Sequence, residues 1–280
     1  MLSILLLLQS STPNLPQDLP TFDEVKARDC AALVAADPAS AIVNAGEWTR
    51  ANGGHRAAAC LGSAYAALGK FTEASAQFVL AANSATSPST ASAPSSGGTQ
   101  ASQYWAQAGN AALAASLPND AVQFLGRALN FSVLTKPVRA NILIDRARAY
   151  VAAGDPENAK ADLAEVRRIA PDNAPGWLLS ATLARRMGTL ADAQNFIITA
   201  AGLSSGDASV ALEAGNIAVT AGAFAVAREQ WQQVLRLAPD SAQAATAKAL
   251  LAQLAEQGLE NTAPSALPLA QPSIATPDTR

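Results

Sequence analysis

The chain has 280 residues, half of them apolar but only 5% aromatic, and its formal net charge is −3. That length buries a substantial core. The weak acidity supplies no basic face for nucleic acid, and no apolar run reaches the roughly 20 residues a membrane-spanning helix requires.

Residues 1–20 open on a nearly pure aliphatic run, Leu2 to Leu8, which turns polar at Gln9-Ser10-Ser11-Thr12-Pro13. The run has the apolar and cleavage character of a secretory signal, with a cut expected between Ser11 and Pro16, although the basic leader of such signals is missing. Export predicts a periplasmic or secreted protein. The competing reading is a frayed start on a cytoplasmic chain.

Residues 21–54 read as two helices broken at Asp37-Pro38 and closed by Gly53-Gly54. Cys30 falls in the first, and Cys60 follows in the next segment. An even cysteine count in an exported chain points to a disulfide, whereas a cytoplasmic chain would keep two buried thiols. A metal site is not expected, because His55 is the sole histidine and no CxxC pair exists.

Residues 55–88 carry Leu61-Gly62, Tyr65, Gly69, Ala74, Phe78 and Ala81 in helix–turn–helix spacing. The stretch 84–101 is rich in Ser, Thr, Ala, Pro and Gly and reads as a flexible inserted loop. Residues 102–135 repeat the earlier pattern with Trp105, Gly109, Ala121, Leu125 and Ala128, and a short insertion around Lys136-Pro137 follows. Three further segments, 140–173, 174–207 and 208–241, start 34 residues apart. They align Ala147, Gly154 and Ala159 with Ala181, Gly188 and Ala193, and with Gly215, Gly222 and Ala227. Pro171 and Pro239 end the second helix of two of these units. Residues 242–257 form a single amphipathic helix suited to covering an open end, and 258–280 has the composition of a disordered tail.

The period and residue types resemble the tetratricopeptide-repeat family over about residues 55–241. The resemblance implies an all-α solenoid of helical hairpins, a right-handed superhelix in which a helix A and a helix B alternate. It implies a non-catalytic protein- or peptide-binding scaffold without cofactor, whose A helices line a concave groove. The groove candidates are Asn110, Asn141, Arg148, Arg185 and Asn216, with Gln103, Gln107 and Asp145 beside them. The family's two-carboxylate clamp for acidic C-termini is not matched, since only Asn110 fits and the lysine positions are empty. An alternative role is a cytosolic structural subunit that uses its convex surface and termini.

Catalytic arrangements have little to stand on. With one histidine in a Gly-Gly-His turn, no phosphate-cradling loop and carboxylates such as Asp155, Glu157, Asp162 and Glu165 at solvated-face spacing, no general acid, base or nucleophile is named.

Overall fold

A computed structural model describes residues 21–86, 94–132 and 134–258; the possible signal segment 1–20 and the tail after Gly258 lie outside the described residues. Among the described residues the chain is entirely helical. Two helices, α1 (Phe22–Ala36) and α2 (Pro38–Arg50), precede α3 (Gly54–Ala67) and α4 (Phe71–Ala85). Next come α5 (Pro94–Ala114), α6 (Pro118–Leu129), α7 (Lys136–Ala152) and α8 (Pro156–Ile169). The last helices are α9 (Ala174–Arg186), α10 (Leu190–Leu203), α11 (Ala208–Thr220), α12 (Phe224–Leu237) and α13 (Ala242–Glu256).

Local chemistry sets most boundaries. Thr21 and Glu24 form a reciprocal capping box at the start of α1. Asp37, Asp155, Asn173, Asp207 and Ser241 each accept a backbone N–H at later helix starts. Odd-numbered helices from α3 to α11 end in a left-handed residue, Gly69, Gly154, Gly188 or Gly222, where a Cβ would be strained. The following N–H then reaches back five residues, as from Asp155 N to Tyr150 O at 2.9 Å. In the α5–α6 turn that place belongs to Ser116, at φ 60°, so a non-glycine residue carries the strain.

Packing within each pair relies on small side chains. Ala74, Ala121, Ala159, Ala193 and Ala227 of the even-numbered helices are all fully buried. Opposite them, a Cβ on Gly109 would stand 2.5 Å from Leu125 Cγ, and one on Gly215 would stand 2.4 Å from Trp231 Nε1. Glycine is therefore required at these two places by the close approach of the facing side chain, while Ala147 and Ala181 occupy the same place opposite Leu163 and Ile197. The resulting core runs as successive clusters along the stack rather than as one globule.

The stacking gives the array its curvature. Odd-numbered helices touch their successors, as α5 does α7, α7 does α9, α9 does α11 and α11 does α13. No comparable contact joins successive even-numbered helices among the described residues. The odd helices, the A set, therefore lie on the inside of the curve.

Two expectations are corrected. The inserted loop expected over 84–101 is narrower, because α4 runs to Ala85 and α5 begins at Pro94. Its Ser- and Gly-rich composition concealed one anchor, the fully buried Ala101; just beyond it the buried Ser102 donates to Ala128 O at 3.0 Å. Residues 87–93 lie outside the described residues. Asp162, expected on a solvated face, is buried and holds Arg146 through two hydrogen bonds of 2.6 and 2.7 Å. That bond raises the Arg146 pKa above the ordinary guanidinium value, against the opposing effect of burial.

Candidate functional site

The A-helix face carries most of the polar side chains that sequence reasoning singled out. Their register comes from the helices themselves: Asn110, Arg148 and Asn216 each follow the small residue at which helix A meets its partner. The structure gathers four of the five candidates around two carboxylates. Asp145 of α7 accepts from Asn110 Nδ2 at 3.0 Å, across from α5, and from Arg148 Nη1 at 2.7 Å. Glu213 of α11 accepts from Arg185 Nε and Nη2 of α9, at 2.6 and 3.2 Å, and from Asn216 Nδ2 at 3.3 Å.

The two hubs differ in burial. Glu213 is 7% exposed and its Arg185 partner is partly covered, so this charged pair is held in bidentate geometry away from bulk water. The Asp145–Arg148 pair is open, with half of the arginine side chain exposed. Asn141, the fifth candidate, is exposed and makes no hydrogen bond within the protein. Gln103 and Gln107 of α5 share that condition, as does the half-buried Gln100 one turn earlier.

Three cavities open along this face. One of about 440 Å³ lies between α1, α3 and α5, lined by Ala31, Cys60, Ser63, Gln100, Tyr104 and Gln107. A second, of about 300 Å³, lies between α5 and α7 and shares Tyr104 and Gln107 with the first, adding Gln103, Asn141 and Asp145. A third, of about 250 Å³, is walled by Arg185, Asn216, Phe224, Trp231 and Leu254 at the far end. Trp231 Nε1 is buried and unpaired, but it packs against Gly215.

The first cavity exists because α5 packs on α4 and scarcely approaches α3. What spans that gap is a hydrogen bond of 3.2 Å between His55 Nδ1 and Tyr104 Oη. Burial, and then the neighbouring Arg56 charge, holds His55 below its usual pKa, and burial raises that of Tyr104. His55 therefore sits in the first turn of α3 as a neutral strut rather than in a solvated turn. Its contact with Tyr104, 49 residues away, left no local trace in the sequence.

Cys30 of α1 and Cys60 of α3 are joined as a disulfide, with Cα atoms 6.1 Å apart. This separation is within the span such a bond bridges. The disulfide is the firmest hold on α1, which has no buried residue of its own.

The aligned polar groups of the face are held mainly to one another. His55 faces a phenol rather than a nucleophile or carboxylate, and the acidic groups that are aligned are committed to arginines or amides. No group of three His, Cys, Asp or Glu side chains is placed to hold a metal among the described residues. No described helix is long and apolar enough to cross a membrane.

No family model and no curated protein matches the chain. Solved structures do. PilW, a widely conserved type IV pilus biogenesis factor, is similar with TM-score 0.62 and 16% identity over 81% of this chain and 99% of its own. Pseudomonas aeruginosa PilF is similar with TM-score 0.60 and 15% identity, covering 81% of this chain and 97% of its own. A thermophilic TPR protein of Thermus thermophilus gives 0.53 and 18%, over 72% and 99%. Identities this low carry the fold alone, and no catalytic family is indicated.

Proposed function

We propose that this chain, a tetratricopeptide-repeat protein, is a non-catalytic bacterial scaffold that holds a protein or peptide against the concave face of its A helices. The observation that carries the reading is the coincidence, on that face, of the three cavities with a row of polar side chains. Ligand pockets combine concavity, apolar walls and a few convergent polar groups in this way. Export, to a periplasm or beyond the cell, is the second part of the proposal. The Cys30–Cys60 bond supports it, because disulfides persist in oxidising compartments, and so does the aliphatic run Leu2 to Leu8.

Affinity purification from the native host tests the first part. The wild-type chain is compared with Asn141→Arg on the A-helix face and with Lys160→Glu on α8. Loss of co-purifying protein with Asn141→Arg alone is the expected result; loss with Lys160→Glu alone would transfer the function to the convex surface and favour a subunit buried in a larger assembly. Intact mass with and without reduction tests the second part: two alkylatable thiols without prior reduction would reject the oxidised, exported form.

A further inference from the structure

We infer that the stretch of the A-helix face between α3 and α7 takes an uncharged, extended polypeptide segment and reads its main chain rather than its side chains. The inference rests on the reading of this face as the binding face and specifies what part of it binds.

The argument begins with which side chains are free. Asn110, Arg148, Arg185 and Asn216 are engaged with Asp145 or Glu213, so a ligand using them must first break an existing bond. Gln100, Gln103 and Gln107 are not engaged, and neither is Asn141. The three glutamines fall at positions i, i+3 and i+7 of α5, which places them on one side of that helix. Asn141 of α7 shares the cavity of about 300 Å³ with Gln103 and Gln107. Gln107 also lines the adjoining cavity of about 440 Å³, together with Gln100, and Tyr104 is the shared wall. The amides thus border two adjoining cavities that share Tyr104 and Gln107.

Their chemistry selects the ligand. Each carboxamide offers N–H donors and a carbonyl acceptor, so it can pair with both the C=O and the N–H of a peptide group, and it carries no charge. The row from Gln100 to Gln107 rises about 10 Å along the helix axis, the length of about three extended residues. Between the amides the walls are Ala27, Ala31, Ala59 and Ala106 with the Tyr104 ring, which accept small or apolar side chains.

Charge is neutralised at the two cavities. Arg56 pairs with Glu24, at 3.4 Å, and Asp145 is answered by Arg148 and Asn110. A charged segment entering here would lose solvation without gaining an unpaired opposite charge, which disfavours it. The far end of the face differs, because Arg186 there is exposed and has no ion-pair partner.

The test uses capped, uncharged dodecapeptides of Thr-Gln-Ala repeats, with counterparts in which Gln is replaced by Glu or by Lys. Binding is followed through the side-chain amide resonances of the isotope-labelled full chain, oxidised throughout. The neutral peptide is expected to shift the signals of Gln103, Gln107 and Asn141, with an affinity changing less than about twofold between low and high salt. Joint substitution Gln103→Ala, Gln107→Ala and Asn141→Ala should weaken it at least about tenfold, as loss of several hydrogen bonds requires. These positions are exposed, so unchanged circular dichroism and melting will show that the variant folds.

Any of the following results overturns the inference. The neutral peptide does not bind; or it binds equally well to the triple variant; or a charged counterpart binds more tightly and releases in salt. The last would leave the A-helix face as the binding face and move recognition to its arginines, whereas shifts confined to α8, α10 and α12 would remove both readings.

Discussion

The two halves of this solenoid are built to different rules. From α7 onward, repeats start every 34 residues and bury the same small positions, and an acidic residue ties one A helix to the next. Ahead of α7 the spacing is broken, α3 and α5 stand apart, and their gap is bridged by one His55–Tyr104 hydrogen bond. A disulfide holds α1, and the glutamines facing the gap have no partner. Three of the four unengaged amides of the inner face, Gln100, Gln103 and Gln107, lie on α5, and the fourth, Asn141, lies on α7 at the junction of the halves. The irregular half is therefore the half with more to offer a ligand.

Removing the disulfide should separate the halves most sharply. It closes a loop of sequence separation 30, for which the chain-entropy model gives about 3–4 kcal/mol. Cys30→Ser with Cys60→Ser should release α1 and α2 early in denaturant. Because each repeat is stabilised by its neighbours alone, hydrogen exchange in α9 to α12 should hardly change. Uniform acceleration along the chain would erase the distinction.

In the regular half, Gly215→Ala would drive a Cβ to 2.4 Å from Trp231 Nε1. Overpacking of this kind costs about 1–3 kcal/mol, read as a lower denaturation midpoint with the slope unchanged. The hubs offer a paired comparison. Glu213→Ala strands a partly buried Arg185 and should cost about 1–3 kcal/mol, whereas Asp145→Ala removes an open pair worth under about 1 kcal/mol. Equal losses would show that the two hubs do not differ in how they bury charge.

Acid should act last and mainly on the irregular half. His55 is held below its usual value of 6.5 by burial and then Arg56. Glu24 is held below 4.5, chiefly by its hydrogen bond from the Thr21 backbone. In both cases the folded pKa is the lower one, so the stabilisation is complete above the unfolded value and is lost as pH falls through the folded value. Small losses of protection in α3 near the His55–Tyr104 contact should begin below pH 6.5, followed by fraying of α1 below 4.5. Loss starting in α11 would contradict this order.

Much of the fold was legible because each signal is local. Gly154, Gly188 and Gly222 mark helix ends through their own backbone, and the buried alanines recur at a fixed offset. Ser116 escaped notice because a serine performs the glycine's task. The start of α5 was hidden by composition, since Ala101 stands at the end of a Ser-, Thr- and Gly-rich stretch and only its burial shows it to be packed helix. The candidate site was legible as positions but not as bonds. Asn110 and Asp145 are 35 residues apart, Arg185 and Glu213 are 28 apart, and no local spacing announces either pair. The free glutamines could be identified only after those bonds had been assigned.

The central claim is that partners lie against the A helices, and site-specific photo-cross-linking in the native host tests it most directly. A photoreactive residue is placed in turn at Gln107 and Asn141 on the A-helix face, and at Lys160 and Val226 on α8 and α12. Adducts from the first pair, with none from the second, are the predicted result. Adducts confined to Lys160 and Val226 would contradict it and assign the function to the outer surface.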